Sequence, residues 1–555
     1  MSPSRETVAD VLPTMAASQP DTVAMYLPTK RRGRDGLVVY EQMTYRELDE
    51  RSDRIAAGLR AIGIERGDRA ALMVRPSAEL FALTFAMFKA GIVPVMIDPG
   101  LGMQRLGECL ARAKPSAFIG IPLAHGARLL LGWGRTTVRR TVTVGGFGLA
   151  QKTLAQVETL GAEQLSLGRR VTPTQGNDVA AVLFTSGSTG PPKGVVYRHR
   201  HFLAQVESIR SMFSIEPGEI DLPTFPMFAL FDPALGMTTI LPDMDPTKPA
   251  QVDPQHVIDP IQRFGITTMF GSPALLNTVG RYGEQHGTRL PSLRRVIAAG
   301  APLPGPTLRR WHGMLSPSAD VFPPYGATES LPVACVAGRD ILRDTWEQTE
   351  QGDGVCVGTP VPDIEVKIIR ISDDAIEELS SDLELPDGEV GEIAVRGPMV
   401  TEAYFGDEEA TAKAKIVTHD GVWHRMGDLG WRDADGRIWF CGRKSHRVEL
   451  PDRTLFTVQC EKIFDTHPAV YRSALVASHQ GGNRTATLCV ELEPDVDARR
   501  WTEIERELEA LAQSNAMLVP VTRFVRHPAF PVDIRHNAKI GREKLSAWVE
   551  SIPTP

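Results

Sequence analysis

The chain has 555 residues, a formal net charge of −7 and a sequence pI of about 6.1. This acidic balance disfavours a nucleic-acid partner, because binding a phosphate backbone requires a clustered basic surface. The length predicts more than one domain, and contents of 42% hydrophobic and 23% charged residues are typical of a soluble globular protein with a large core.

The cysteines and the apolar stretches bear on the compartment. The six cysteines are scattered without CxxC spacing, which predicts neither a zinc site nor a disulfide framework and favours a reducing cytoplasm. The N-terminus lacks a basic segment followed by an apolar core, so we expect no signal peptide. The most apolar long stretch, Leu80–Ile97, contains Lys89, Gly91 and Pro94, and predicts a buried helix followed by a strand, not a membrane span.

The N-terminal part of the chain alternates helical and strand-like patterns. Met43–Ile64 carries apolar residues at helical spacing, Arg69–Val74 is a strand-like run, and Leu80–Gly91 predicts a helix that its glycine can end. Further strand-like runs lie at Ile92–Asp98, Val179–Phe184, Thr267–Phe270 and Val296–Ala299. This alternation predicts βαβ units and a largely parallel sheet.

The pattern changes after Gly391. Gly391–Gly397 and Asp435–Arg443 have the pattern of short strands with turns, which predicts a small β-subdomain. Residues 446–555 mix helical and strand-like patterns, which predicts a small α+β domain. We therefore expect a boundary near Gly442–His446, with one domain at 1–443 and a second at 444–555.

One basic stretch raises the question of a membrane surface. His125–Arg140 combines leucines and a tryptophan with four arginines. A surface helix and loop is the simpler interpretation, and a lipid-binding surface is the alternative. We therefore expect at most peripheral membrane contact.

Thr185–Gly194, with the sequence TSGSTGPPKG, has the composition of a phosphate-binding loop. Glycines let backbone N–H groups converge on an anion, hydroxyls add donors, and Lys193 adds positive charge. It is not a Walker A loop, because Gly194 rather than Ser or Thr follows the lysine. It is not a nucleophile elbow either, because it contains no G-x-S-x-G. The sequence therefore predicts a cradle for phosphates.

With other motifs in the same order, this loop resembles the signature of the adenylate-forming (ANL) superfamily of acyl-CoA synthetases, peptide-synthetase adenylation domains and luciferases. The other matching stretches are MTYREL (Met43–Leu48), KAGIVPVMIDP (Lys89–Pro99), AAGAPL (Ala298–Leu303), YGATES (Tyr325–Ser330), VGTPVPDIEVKI (Val357–Ile368), HRMGDLG (His424–Gly430), CGRK (Cys441–Lys444) and AKIGREKL (Ala538–Leu545). The resemblance implies an α/β fold. A large N-terminal domain with parallel-rich sheets and a small β-subdomain would bind ATP and the acyl chain, and a small mobile α+β C-terminal domain would follow.

The resemblance also implies roles for single residues in joining a carboxylate to ATP, with ATP and Mg²⁺ as cofactors. Lys539 would bridge the substrate carboxylate and the α-phosphate, Thr328 would contact the α-phosphate, and Glu329 would hold Mg²⁺. Tyr325 would stack on adenine, and Asp428 would accept hydrogen bonds from the ribose. The implied nucleotide-binding residues are Thr185, Ser186, Gly187, Ser188, Thr189, Gly190, Lys193, Gly300, Ala301, Pro302, Tyr325, Gly326, Asp428 and Arg443.

The hinge motif departs from the pattern of CoA-using relatives, which reads roughly G-R-x-x-D-x-I-K-x-x-G. Here His446 stands at the Asp position, Glu449 at the Lys position and Asp452 at the final Gly position. In the family this segment lines the pantetheine tunnel, so Asp452 removes backbone freedom and opposes an anionic cofactor. The acyl-pocket motif PMFALFDPA also departs, with Ala229 where an imidazole is usual. The implied pocket residues are Phe228, Ala229 and Phe231.

Two interpretations of the hinge stay open. Either it has drifted and the chain is a long-chain fatty acyl-CoA or acyl-AMP ligase, or adenylation is kept and the thiol acceptor is lost. In the second case a 3-hydroxyl of the substrate can attack the activated carbonyl, because intramolecular attack needs no second binding site. His199 and His446 are candidate bases, because imidazole titrates near neutral pH. A non-catalytic scaffold is disfavoured, because it has no chemical reason to keep Lys539, Glu329 and Asp428.

The retained lysine favours the second interpretation, and the chain resembles the β-lactone-forming branch of the superfamily in bacterial long-chain olefin biosynthesis. The stretches that carry this resemblance are Asp98–Leu110, Gly442–Glu461 and Asp533–Arg542. It implies a 2-alkyl-3-hydroxy fatty acid as substrate. It also implies an assembly with a thiolase-like condensing enzyme, a reductase and a β-lactone decarboxylase.

Overall fold

The computed structural model describes residues 6–146, 149–169, 171–185, 191–480, 483–532 and 539–552. Helices and strands alternate through most of the N-terminal part, as the sequence predicts. The α-helices are α1 Val11–Ser18, α2 Tyr45–Ala61, α3 Ala78–Ala90, α4 Met103–Ala113, α5 Pro122–Leu131, α6 Leu154–Ser166, α7 His199–Phe213, α8 Asp232–Leu235, α9 Gln255–Phe264, α10 Pro273–His286, α11 Gly305–Met314, α12 Gly338–Asp340, α13 Trp346–Gln351, α14 Glu408–Ala414, α15 Thr457–Phe464, α16 Trp501–Ser514 and α17 Arg542–Ser551.

The strands are concentrated in three large sheets and a smaller C-terminal sheet of the described residues. They are β1 Val23–Arg32, β2 Val38–Thr44, β3 Arg69–Met73, β4 Val93–Ile97, β5 Ala117–Gly120, β6 Arg140–Thr143, β7 Lys152–Thr153, β8 Val179–Thr185, β9 Lys193–Arg198, β10 Ile220–Pro223, β11 Thr238–Ile240, β12 Thr268–Gly271, β13 Arg295–Ala298, β14 Asp320–Phe322, β15 Tyr325–Ala327, β16 Ser330–Cys335, β17 Val355–Pro360, β18 Glu365–Ile369, β19 Gly391–Arg396, β20 Lys415–Thr418, β21 Gly421–Arg432, β22 Ile438–Arg443, β23 Val448–Glu449, β24 Thr454–Leu455, β25 Val470–Gln480, β26 Asn483–Leu492 and β27 Val521–Arg526.

Local sequence signals explain where the first helices begin and end. Helix α2 starts with a capping box, in which the Thr44 hydroxyl accepts from the Glu47 backbone N–H and the Glu47 carboxylate accepts from the Thr44 backbone N–H. Helix α3 ends at Gly91, whose φ of +66° is the left-handed conformation that glycine adopts without strain. Strand β4 follows at once, so the prediction of a buried helix and strand across Leu80–Ile97 is confirmed.

Two seven-stranded sheets flank the predicted phosphate-binding stretch and the predicted acyl-pocket motif. The first sheet has the order β14-β13-β12-β10-β11-β1-β2, and the second sheet has the order β7-β6-β5-β3-β4-β8-β9. In each sheet every neighbouring pair is parallel except the last, β1–β2 and β8–β9. The carboxyl ends of parallel strands meet at one edge of a sheet, where α/β proteins bind ligands.

A third sheet, ordered β15-β16-β17-β22-β21-β19-β18 with β20 beside β21, is antiparallel and corresponds to the predicted β-subdomain. The C-terminal part has its own sheet, β25-β26-β27, and its own core, which includes Phe464, Leu475 and Leu508. This mixed α/β architecture with a small C-terminal domain confirms the predicted fold class. The division at 443/444 stays a prediction. None of the described helices is long and apolar enough to cross a bilayer.

Candidate active site

The glycine-rich stretch joins the antiparallel strands β8 and β9. Thr185 and Lys193 are register partners at the end of this pair. The predicted phosphate ligands Ser186, Gly187, Ser188, Thr189 and Gly190 lie outside the described residues. The Lys193 Nζ atom lies 5.0 Å from the ring centroid of Tyr404. The positive charge at the end of the stretch is therefore directed at an aromatic face rather than at bulk solvent.

Glu329 lies beside the same tyrosine. The Tyr404 hydroxyl donates to Glu329 Oε1 at 2.6 Å. The Thr401 backbone N–H and hydroxyl both donate to the Glu329 carbonyl, at 2.9 and 3.1 Å. Burial and the neighbouring Glu329 charge raise the pKa of the Tyr404 hydroxyl far above its usual value, so it remains a donor. Lys193, Tyr404 and Glu329 thus form one polar cluster.

A buried lysine completes this cluster. Lys415 donates to the Thr401 carbonyl, and its Nζ atom lies 6.0 Å from the Tyr404 ring centroid. Burial lowers the pKa of Lys415 to about 7, against the opposing charges of Glu329 and Glu402. Neither Tyr404 nor Lys415 belongs to a motif that is recognisable in the sequence. Contacts across 75 positions, as between Tyr404 and Glu329, leave no local signal in the chain.

Asp428, Tyr325 and Arg443 form a second cluster. Asp428 and Arg443 are register partners on the antiparallel strands β21 and β22, and the Arg443 Nη1 atom lies 3.0 Å from Asp428 Oδ1. The Tyr325 hydroxyl donates to Asp428 Oδ2 at 2.7 Å. Asp428 Oδ1 accepts no aligned hydrogen bond from the described residues, although the ion pair is close. This oxygen therefore keeps acceptor capacity for a hydroxyl of a ligand.

The charge of Lys539, in the C-terminal part, acts on this cluster. Burial raises the pKa of Asp428, and the Arg443 charge, the Tyr325 hydroxyl and the Lys539 charge each oppose that rise. Helix α17, which follows the lysine, packs Leu545 against the core of β25 and β26. The charge of the predicted adenylation lysine thus acts on the predicted ribose acceptor.

The hinge position contacts the same helix. His446 Nε2 lies 3.4 Å from Glu543 Oε1 in the first turn of α17. The His446 ring lowers the pKa of the Glu543 carboxyl. Glu449 pairs with Arg447 at 2.9 Å and with Arg484 at 3.6 Å. The acidic residue at the family's lysine position is therefore held by arginines of the C-terminal part.

The adenine and triphosphate motifs follow two adjacent strands of the first sheet. Gly300, Ala301 and Pro302 come directly after β13, and Tyr325 comes directly after β14. Gly300 has a φ of +107°, which disfavours any side chain. A Cβ at Gly326 would lie 2.7 Å from the Ser330 carbonyl oxygen, so this position in β15 requires glycine. The Thr328 carbonyl accepts a hydrogen bond from the Tyr197 hydroxyl, which fixes the backbone at Thr328.

An apolar cavity lies beside these motifs. Its wall includes Ala299 and Pro324, each next to a nucleotide motif, and the rings of Phe228 and Phe231. Phe228 stacks on Phe270 with ring centroids 4.0 Å apart. Ala229 was predicted as part of the acyl pocket together with Phe228 and Phe231. It is fully buried in the adjoining core and is not part of the cavity wall.

Two buried carboxyl groups also line the cavity. The Thr239 hydroxyl donates to Asp232 Oδ2 at 2.6 Å, whereas Asp221 Oδ1 has no partner among the described residues. Burial raises the pKa of Asp232 to about 7, and burial together with the Asp232 charge raises the pKa of Asp221 well above its usual value. The two groups therefore titrate as a pair that holds a proton at neutral pH.

We expect Asp221→Asn to stabilise the protein above neutral pH. Between about pH 4 and pH 7 the folded state binds more protons than the unfolded state, so the free energy of unfolding falls as pH rises. The substitution removes the carboxyl that must take up a proton on folding, and should raise that free energy by about 1–3 kcal/mol at pH 8. Urea titrations at pH 5 and pH 8 measure the effect. Asp495→Asn, at an exposed carboxylate, is the matched control, and equal pH slopes for wild type and Asp221→Asn would contradict the assignment.

The structure does not bring His199 to either cluster or to the cavity wall. It is buried at the start of α7, with its ring 5.8 Å from that of Phe88. Burial lowers the pKa of His199 to about 4, against the charges of Asp178 and Asp10. Packing in the core explains this histidine, and its described contacts do not favour a role as the ring-closure base.

The chain matches the family description "AMP-binding enzyme" over residues 12–405. It is 51% identical to the olefin beta-lactone synthetase of Xanthomonas campestris pv. campestris, over 98% of this chain and 97% of that protein. It is 50% identical to the protein of the same name from Stenotrophomonas maltophilia, over 98% of each chain.

Among solved structures, the fold matches o-succinylbenzoate coenzyme A synthetase from Bacillus subtilis, determined in complex with ATP and a magnesium ion. The TM-score is 0.73 at 21% identity, over 96% of this chain and 98% of that one. The clusters around Glu329 and Asp428 therefore lie in a fold that this chain shares with that synthetase. The matched residues and the near full-length relatives establish that this chain belongs to the AMP-binding, adenylate-forming enzyme family.

Proposed function

We propose that this enzyme adenylates a long-chain 2-alkyl-3-hydroxy fatty acid with ATP and then closes a β-lactone ring, with release of AMP and pyrophosphate. The observation that carries the proposal is the 50–51% identity, over nearly the whole chain, with two proteins named olefin beta-lactone synthetase. The effect of the Lys539 charge on the Asp428 carboxyl is consistent with it.

The nucleotide would lie between the two polar clusters. Asp428 would accept from the ribose hydroxyls, supported by Arg443, and the Tyr325 ring would contact adenine beside Gly300. Lys193 would neutralise the outgoing phosphates. A predominantly electrostatic role suits these groups, because two anions must meet in this step.

Glu329 would contribute to a Mg²⁺ site. The described residues contain no group of three or more His, Cys, Asp or Glu side chains that could hold a metal ion. A single protein carboxylate with phosphate oxygens and water is, however, the manner in which Mg²⁺ is usually held beside a nucleotide. The ion would neutralise phosphate charge, and the Tyr404 hydroxyl would orient the Glu329 carboxylate.

Adenylation would form a bond between a substrate carboxylate oxygen and the α-phosphorus, while the bond to pyrophosphate breaks. Lys539 would stabilise the charge on the carboxylate and the α-phosphate as they approach, together with Thr328. In the second step the 3-hydroxyl oxygen would attack the carbonyl carbon, lose its proton to a base or to water, and expel AMP. His446 would be a candidate for that base, because it lies at the hinge beside α17.

The cavity lined by Phe228 and Phe231 would receive an alkyl chain of the substrate. The hinge favours the lactone over a thioester, because Glu449 and Asp452 place acidic side chains where CoA-using relatives have Lys and Gly. A long-chain fatty acyl-CoA or acyl-AMP ligase is the second candidate, and the relatives named above support it less. A condensing enzyme, a reductase and a β-lactone decarboxylase in the same cytoplasm are the expected partners.

The test is to incubate the protein with ATP, Mg²⁺ and a racemic 2-alkyl-3-hydroxy fatty acid, with and without CoA. We expect a β-lactone, read by NMR from the ring protons, in equal yield in both reactions. Formation of a CoA thioester in place of the lactone would establish the acyl-CoA ligase instead. An unreactive protein that still binds ATP would support a scaffold role.

A further inference from the structure

Exposed leucines are concentrated on helix α5. Leu130 is 88% exposed, Leu123 is 72% exposed, and Leu129 and Leu131 are each 52% exposed. Met103, at the start of α4, is also exposed. Scattered exposed leucines are normal on a soluble protein, but a contiguous apolar helix surface usually marks a contact with a partner or a membrane.

The apolar side of α5 faces outward. Leu123 and Leu130, seven positions apart, lie on the outer side of the helix, whereas His125 is fully buried on the inner side and bonds to the Val142 carbonyl at 3.0 Å. A surface helix normally presents its apolar residues to the core and its polar residues to solvent. The inner side is fixed by packing, because its alanines contact the leucines of α4 and Trp133.

The chain segment that contains these leucines is basic. Residues 102–149 contain seven basic side chains and one acidic side chain, a net charge of +6 in a chain whose total is −7. The basic residues are Arg105, Arg112, Lys114, Arg128, Arg135, Arg139 and Arg140, and the acidic residue is Glu108. This segment is therefore strongly basic in an otherwise acidic molecule, and its charge is complementary to an anionic surface.

We propose that α5 and its flanking arginines, the α5 surface, bind the face of an anionic lipid bilayer. The leucines would enter the boundary between headgroups and acyl chains, and the arginines would extend to lipid phosphates. The inference stands on this surface and does not require the proposed reaction. It suits that reaction, because a fatty acid with two long alkyl chains partitions into bilayers.

The residue types favour lipid over a protein partner. The energetic centres of protein interfaces are enriched in Trp, Tyr and Arg packed in pockets. Here the exposed apolar side chains are aliphatic, and the nearby Trp133 is buried beneath them.

Flotation of the full chain with vesicles tests the proposal. We expect binding to vesicles of equal parts phosphatidylglycerol and phosphatidylcholine, weak binding to phosphatidylcholine alone, and release at high salt. The double variants Leu129→Gln/Leu130→Gln and Arg135→Glu/Arg139→Glu should each reduce binding by about tenfold or more.

Matched controls carry the same changes elsewhere on the surface. Leu167→Gln/Val519→Gln removes two other exposed apolar side chains, and Arg34→Glu/Arg309→Glu makes the same change of charge. Both should bind as the wild type does, and all four variants should keep its melting temperature because the positions are exposed. No binding to anionic vesicles, or equal binding by all four variants, would overturn the proposal. A leucine-dependent dimer without vesicle binding would also overturn it, and would assign the surface to a second copy.

Discussion

The variant Lys539→Ala is expected to lose acyl-adenylate formation by about 10²–10³-fold, the range observed when one preorganised charge-stabilising donor is removed. The lysine side chain is exposed and its charge acts on the buried Asp428 site, so the variant should fold normally. Release of pyrophosphate from ATP in the presence of the 3-hydroxy acid measures the effect.

Lys544→Ala, at an exposed lysine on α17, five positions after Lys539, is the matched control and should keep full activity. A chemically prepared acyl adenylate separates the two half-reactions. If Lys539 acts only in adenylation, the Lys539→Ala variant will convert that adenylate to the β-lactone at nearly the wild-type rate. Unchanged pyrophosphate release in Lys539→Ala would remove the lysine from the adenylation step.

The variant Glu329→Gln is expected to lower kcat by about 10²–10³-fold, because it removes the one carboxylate assigned to the metal-bound phosphates. The change is nearly isosteric, and an amide oxygen can still accept from the Tyr404 hydroxyl. The apparent affinity for Mg²⁺ should fall in parallel, which a titration of the rate with Mg²⁺ measures.

Glu402→Gln controls for the general electrostatic effect of this substitution. Glu329 and Glu402 both oppose the lowered pKa of Lys415, so either variant shifts that lysine in the same direction. Glu402 pairs with Arg198 and Arg200 and is not assigned a phosphate or a metal ion. Equal losses in the two variants would place the effect on Lys415 and would contradict a metal-binding role for Glu329.

Much of the architecture was predictable, because it rests on local periodicity. The capping box at Thr44, the glycine at the end of α3 and the short apolar runs specify their elements within a few residues of sequence. The meeting of Asp428 with Arg443 was accessible from motif order, and the register of β21 with β22 is its physical cause.

The contacts that the sequence did not reveal join distant segments. The bond between Tyr404 and Glu329 crosses from the third sheet to a separate loop, and no periodicity in either segment signals it. Asp221 and Asp232 lie within apolar runs of the sequence, where a single carboxylate is usually interpreted as a turn or surface residue. Only the fold places them together on a cavity wall, and only their shared burial alters their titration.

The hinge illustrates a different limit. The substitutions at 446, 449 and 452 were visible in the sequence, but their partners were not. In the structure Glu449 is held by Arg447 and Arg484, and His446 faces Glu543. These pairs connect the hinge to the rest of the C-terminal part, which carries Lys539. The residues at 446 and 449 that depart from the CoA-using pattern therefore have specific partners in the structure.

The most direct test of the account follows oxygen atoms from a substrate whose carboxylate carries ¹⁸O at both positions, in a reaction without CoA. Attack of the carboxylate on ATP and of the 3-hydroxyl on the carbonyl predicts one ¹⁸O in AMP and one in the lactone carbonyl. Unlabelled AMP with both ¹⁸O atoms in the lactone would show that the hydroxyl, not the carboxylate, was activated. That result would contradict the account at its central step.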